Sequence, residues 1–152
     1  MFHVLFITPV YPSNRDKNAG IFIKKIADIL CLQGLKVSII NPIPWIPFPL
    51  NVASKLLSSY RNLPVEEKDN NIIIYRPRYI TYPRSTIYGF AHYFIYRSIL
   101  SIKISSPDII HAHFMYPAGF VGMLLKRKWD IPLVVTTRGD DTNIYPQTNK
   151  FN

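Results

Sequence analysis

Apolar residues in this chain fall into two rhythms that alternate along its length. Residues 3–8, HVLFIT, form a continuous apolar run closed by Pro9. Such a run predicts a strand buried on both faces. A long polar loop, PVYPSNRDKNAG, follows, and from Gly20 the period changes. Phe22, Ile26, Ile29 and Leu30 recur at helical spacing, while Lys24, Lys25 and Asp28 take the opposite face. Gly34 supplies the left-handed residue that stops the helix. Residues 36–41, KVSIIN, read as a second strand, so the two strands and their helix make a βαβ unit with a right-handed crossover.

The segment after it, PIPWIPFPL, has four prolines that forbid regular structure, yet Ile43, Trp45, Ile46, Phe48 and Leu50 are apolar. It either folds onto the core or forms an exposed lid or lipid-contacting patch. A short helix over 52–60, a charged stretch and a strand over 71–76, NIIIYR, come next. Residues 84–104 carry Ile87, Phe90, Ala91, Phe94, Ile95, Ser98, Ile99 and Ile102 on one broad helical face. A strand over 108–113, a helix over 118–128 and a strand over 133–137 complete the pattern. Continuously apolar strands alternating with helices predict an α/β fold: a Rossmann-like, doubly wound parallel sheet with helices on both faces. Ligands of such sheets bind beyond the carboxyl ends of the strands. Here those ends are the stretches 8–20, 41–50, 113–119 and 137–143.

The chain has 152 residues, 48% of them hydrophobic and 18% charged, a globular balance consistent with one domain. Its net charge of +9 favours an anionic partner. Most of the cations are dispersed, and the tight run Lys126-Arg127-Lys128 sits where a helix ends and its dipole attracts cations. The single cysteine, Cys31, cannot form an internal disulfide, which points to a reducing compartment. Met1-Phe2-His3 leads directly into a strand without a cationic leader, so a cytoplasmic protein is expected. Residues 87–102 are too short and too interrupted, by His92 and Arg97, to span a bilayer.

The stretch TTRGDDTN concentrates candidate chemistry. Arg138 offers a fixed fork of donors for phosphate or carboxylate, Gly139 permits close backbone approach, and Asp140 and Asp141 can accept hydroxyl hydrogen bonds or serve as turn and cap residues. His111 and His113 share one face of their strand. With no further metal ligand nearby in sequence, no metal site is expected; one imidazole should be a satisfied buried group and His113 should reach the crevice. The chain has no G-x-G-x-x-G, no phosphate-loop motif and no G-x-S-x-G elbow. Its aromatic residues cluster on core faces instead of alternating with cations, so nucleic acid is not an expected partner.

Taken together, VLFITPVYP, NAGIFIKKIADIL, NPIPWIPFP, YRPRY, DIIHAHFMYPAGFVG and IPLVVTTRGDDTN resemble the N-terminal half of family-4 glycosyltransferases of the GT-B fold, nearest in flavour to the subgroup associated with teichuronic acid and other surface polysaccharides. The resemblance runs over about 4–143. It implies two Rossmann-like domains facing a cleft, the first holding the sugar acceptor and the second the nucleotide-sugar donor, with no further cofactor. By that likeness Gly20 approaches phosphate or acceptor at a helix N-terminus, and His113 and Tyr116 line the acceptor side together with Gly119. Arg138, Gly139 and Asp140 lie near the transferred sugar, with Asp141 and Asn143 beside them. The catalytic candidates are therefore Arg138, Asp140 and His113. Many family members carry histidine where this chain has Arg138; arginine cannot act as a base at neutral pH, so its role here is electrostatic. The donor domain, with its paired glutamates, has no counterpart in these 152 residues. Transfer needs both sides of the cleft, so the isolated chain is expected to be inactive. Two alternatives stand beside this reading: a non-catalytic domain docking on anionic membranes through PIPWIPFPL and its cations, and a nucleotide-binding Rossmann-like domain.

Overall fold

The strand predicted first is the centre of the molecule. In the computed structural model, which describes residues 1–45, 60, 62–81, 90–139 and 141, strand β1 (His3–Ile7) is buried along its whole length. It pairs in parallel with β2 (Lys36–Ile40) on one side and with β7 (Ile109–His113) on the other. Beyond β2 lie β5 (Ile72–Tyr75) and then β4 (Glu66–Asp69); beyond β7 lies β8 (Leu133–Thr136). The order is β4-β5-β2-β1-β7-β8, parallel throughout except for β4 against β5. Because β1 has neighbours reached from both directions, the crevice at its carboxyl end is the place where such a sheet accepts ligands.

The unbroken apolar run of β1 is explained by a period of two working on two cores at once. Leu5 and Ile7 join Ile40, Ile110 and Ala112 against Ile95 and Ile99 of helix α2 (Ala91–Leu100) and Val121 and Leu125 of α3 (Phe120–Trp129). Val4 and Phe6 face the other way, with Val37, Ile39, Ile72 and Ile74, against Ile23 and Ala27 of α1 (Ile21–Leu32). Each fully buried aliphatic side chain is worth ~1.5–3 kcal/mol relative to exposure. Helices therefore cover both faces, as the alternating pattern implied. Helix α1 ends as expected: Gly34 adopts φ 83°, its N–H reaching Cys31 O at 3.0 Å while Leu35 N–H reaches Leu30 O at 3.1 Å. The basic run Lys126-Arg127-Lys128 occupies the last turn of α3.

Several expectations are corrected. Helix α1 buries Ile23 and Ala27, and Phe22 and Ile29 are exposed, because the small Ala27 lets the helix approach the sheet on a face rotated from the one its largest residues suggest. On α2, Ile95 and Ile99 are buried while Phe90 and Phe94 face solvent. The proline-rich segment contains a strand, β3 (Ile43–Trp45), paired in parallel with β6 (Arg78–Ile80) as a small second sheet. Helix α3 begins at Phe120, after a wide turn at Met115–Gly119 that contains Pro117. The remainder of PIPWIPFPL, the helix expected over 52–60 apart from Tyr60, and residues 84–89 lie outside the described residues. Among the described residues, no helix is long and apolar enough to cross a membrane.

Candidate functional site

A cavity of about 210 Å³ opens at the carboxyl edge, between the ends of β1 and β2 and the turn after β7. Its floor includes Ile7, Ile95 and Ala118, which belong to the core on the α2–α3 side. Thr8 and Asn41 are built into its wall by the backbone: Thr8 N–H donates to Ile40 O at 3.0 Å, and Asn41 Nδ2 donates to Thr8 O at 3.1 Å. Tyr60 and Tyr79 bring aromatic rings to the lining, and Pro117 brings the turn after β7. The loop before α1 contributes Ser13, Arg15 and Asp16. That loop is shaped by the Asp16 carboxylate, which accepts N–H groups from Asn18 at 2.9 Å and Ala19 at 3.1 Å. It is also held from behind by buried Arg76, which pairs with Glu67 and donates to Pro12 O at 3.1 Å.

On the opposite, α1 side of the sheet stand the two histidines. Their rings stack with centroids 4.2 Å apart, and Phe6 meets both edge-on, at 5.1 Å from His111 and 4.7 Å from His113. His111 Nε2 shares a hydrogen bond with Thr136 Oγ1 at 2.7 Å. His113 has 0% exposure, and neither ring nitrogen finds a partner among the described residues. Burial first, then the neighbouring His111 and Arg138, holds its pKa down to about 3, and burial followed by Arg138 lowers that of His111. The expectation that His113 opens into the crevice is thus corrected: the stack against Phe6 closes over it, and it is a neutral buried imidazole. The residue with a satisfied ring is His111.

Arg138 places its guanidinium 4.3 Å from the centre of the Phe22 ring, over the start of α1. Asp141 is buried, and its Oδ2 accepts the N–H groups of Met115 at 2.8 Å and Arg138 at 3.2 Å. It therefore ties the turn after β7 to the segment after β8, a structural use of the carboxylate in line with the turn-and-cap alternative for these aspartates. Gly139 is exposed beside Arg138. Asp140 and Asn143 lie outside the described residues.

Two of the three candidate glycines, Gly20 and Gly119, have packing reasons for their identity. Gly20 holds φ +66°, and a Cβ there would lie 2.6 Å from Val10 O, so the start of α1 is pressed against the preceding loop. Gly119 is buried, with a Cβ position 3.3 Å from Val135 Cγ1. Tyr116 precedes the cis Pro117 and does not line the cavity. Its ring lies among His92 and Phe120, its buried hydroxyl faces the amides of Ala91 and His92 without closing a hydrogen bond, and burial raises its pKa. The structure thus gathers Arg138, His113 and Asp141 about the ends of β7 and β8, and sets Tyr116 and Gly119 in the turn between. The sequence reading did not single out Arg15, Asn41, Tyr60 or Tyr79 as site residues; the position of Asn41 at a strand end, beside Thr8, was the available signal.

A mostly parallel Rossmann-like sheet with a cavity at the carboxyl end of its central strand places this chain among the α/β proteins whose ligands bind at that edge. Residues 20–151 match the model of Glycosyltransferase Family 4, and the chain belongs to that family. It is 31% identical over 150 residues to "Putative teichuronic acid biosynthesis glycosyltransferase TuaC" of Bacillus subtilis (strain 168), a match covering 97% of this chain and 39% of that protein. It is 34% identical over 85 residues to "Uncharacterized glycosyltransferase MJ1178" of Methanocaldococcus jannaschii, covering 56% of this chain and 24% of the relative. The chain therefore spans well under half the length of either relative.

Proposed function

We propose that this chain is the acceptor-binding, N-terminal half of a retaining glycosyltransferase that moves a sugar from a nucleotide-sugar to a surface glycan or lipid-linked acceptor. The observation that carries the reading is the cavity at the carboxyl end of β1 in a chain of this family. Its lining is mixed, with amide, hydroxyl, aromatic and charged groups, which is the chemistry a sugar ring needs. Arg138, at the same edge of the sheet, acts electrostatically on a phosphate or an acidic acceptor group, with Asp140 and Gly139 beside it. His113 works from beneath as a neutral imidazole that supports the end of β7. The nucleotide-sugar is a substrate supplied from the donor side, on a second domain of a longer polypeptide, so this half binds acceptor without completing transfer.

Binding and turnover separate the parts of this reading. Incubated with a labelled nucleotide-sugar and a short glycan, the 152-residue chain should show glycan-induced NMR shifts at Thr8 and Asn41 and yield no transferred product. Transfer by this chain alone refutes the half-site; failure to bind any glycan refutes the acceptor role.

A peripheral position on the cytoplasmic face of a membrane fits the same reading. Phe90 (63% exposed), Tyr93 (51%) and Phe94 project from the start of α2, where His92 also meets the ring of exposed Phe120, on a chain of net charge +9. Exposed aromatic residues combined with positive charge suit an anionic headgroup layer.

A further inference from the structure

The loop that supplies much of the cavity's lining is held by a charge from outside it. Tyr11, Ser13, Asp16 and Ala19 line the cavity, and the residue between the first two, Pro12, turns its carbonyl to Arg76 Nη2 at 3.1 Å. The loop's own bonds are local: Thr8 Oγ1 donates to Val10 O at 2.9 Å, Ser13 N–H to Asp16 O at 3.0 Å, and the Asn18 and Ala19 N–H groups to the Asp16 carboxylate. Arg76 stands 64 positions beyond Pro12 in the chain, just after β5, with its side chain fully buried. Its Nη1 pairs with Glu67 on edge strand β4, whose side chain is 34% exposed, and its Nε has no hydrogen-bond partner among the described residues. Burying a guanidinium forfeits hydration that one carboxylate seldom repays, and an apolar side chain of similar volume would stabilise this position as well or better. Fold stability therefore does not account for an arginine here. What an apolar side chain cannot do is bond Glu67 and the Pro12 carbonyl at once, which two arms of one planar fork can.

We propose that Arg76 is a positioning residue of the ligand site: braced by Glu67, it fixes Pro12 and thereby sets Tyr11 and Ser13 at the cavity wall in the geometry that receives the sugar. The inference rests on the acceptor-side reading above and adds a residue that touches no ligand yet governs how well the site is formed. A wall fixed before the ligand arrives spares the ordering cost of binding, so releasing it lowers affinity without removing any group that contacts the sugar.

The test compares the 152-residue chain with two variants: Arg76→Lys, and Arg76→Met combined with Glu67→Gln, which removes both charges together so that neither is left buried and unpaired. NMR reads the loop directly, because the Pro12 carbonyl and the Ser13 N–H belong to one peptide group. In the double variant the Pro12 carbonyl carbon and the Ser13 amide nitrogen should shift, and amide exchange at Ser13, Asn18 and Ala19 should quicken about fivefold or more relative to Leu5, Ile7 and Ile39 in the sheet. Binding of cellobiose or chitobiose, followed at Thr8 and Asn41, should weaken about fivefold or more. Arg76→Lys keeps a cation for Glu67 and loses the fork, so it should show part of both effects, and it carries the same comparison if the double variant does not fold. Loop resonances and exchange unchanged in both variants overturn the positioning role, as does a loosened loop with undiminished sugar binding. Protection lost equally from loop and strands overturns it too, since the effect is then one of stability alone. Wild-type chain that binds neither sugar overturns the acceptor reading and the ligand half of this proposal with it, while the loop resonances still decide whether Arg76 fixes the wall.

Discussion

Replacing His113 with phenylalanine should remove a specific acid sensitivity from the fold. The imidazole has 0% exposure, is stacked on His111, and has no hydrogen-bond partner among the described residues; burial and its charged neighbours hold its pKa down to about 3. In the unfolded chain it titrates near 6.5. A base with a depressed folded pKa binds more protons unfolded than folded between the two values, so stability is complete above about pH 6.5 and falls as pH drops towards 3. With ~1.36 kcal/mol per pH unit, this group alone accounts for about 2 kcal/mol of loss between pH 7 and pH 5. That is a large share of a typical ~5–15 kcal/mol. The assay is urea denaturation of the wild-type chain and His113→Phe at a series of pH values. The readout is the difference in slope with pH, so any packing change from the larger ring, which shifts all points alike, does not obscure it. His3 and His111, also lowered by burial, leave a residual slope in both proteins. Parallel curves for the two proteins from pH 7 to pH 5 would refute a neutral, buried His113.

Three further outcomes follow from the geometry. Asp141→Ala leaves the Met115 and Arg138 N–H groups without their acceptor and should cost about 2–4 kcal/mol, read by denaturation, with faster amide exchange at Met115; unchanged exchange there would exclude the tie between the two loops. Gly20→Ala should cost about 2 kcal/mol or more, since φ is +66° and the new Cβ meets backbone at Val10; a stability within about 0.5 kcal/mol of wild type would contradict that packing. The chain should sediment with anionic vesicles and not neutral ones, and Phe90→Ser combined with Phe94→Ser should weaken this several-fold; equal pelleting on both lipids would rule out electrostatic docking.

The parallel sheet was legible in the sequence because burial on both faces leaves a plain mark. In β1, Leu5 and Ile7 serve one core and Val4 and Phe6 the other, so no position can be polar without cost. The small sheet left no such mark. Strand β3 carries Pro44, which the sequence reading took to forbid regular structure. In the ladder, Ile43 N–H reaches Pro77 O at 2.9 Å and Trp45 O accepts Thr81 N–H at 3.0 Å. The residue between them turns its backbone away from β6, where a missing N–H costs nothing. Strand β4, EEKD, is hidden for another reason: it is an edge strand held by the Arg76–Glu67 and Lys24–Asp69 pairs, and none of its residues is fully buried, so hydropathy says nothing of it.

The candidate site divides along the same line. Position was readable: strand ends in a parallel sheet converge, and Thr8, Asn41, His113 and Arg138 all lie at the carboxyl edge. Role was not, because role depends on contacts between segments distant in sequence. Asp141 in TTRGDDTN could be a ligand group or a turn and cap residue, and the fold, which brings Met115 N–H within 2.8 Å of its carboxylate, gives it a structural partner the sequence could not name. His111 and His113 are equivalent in the sequence pattern, and only the neighbouring Thr136 hydroxyl makes one of them the bonded partner. Arg15 and Asp16 sit in a loop whose polarity reads as ordinary solvation, until the Asp16 turn and the Tyr60 ring set the arginine at a cavity wall and spend the carboxylate on the backbone.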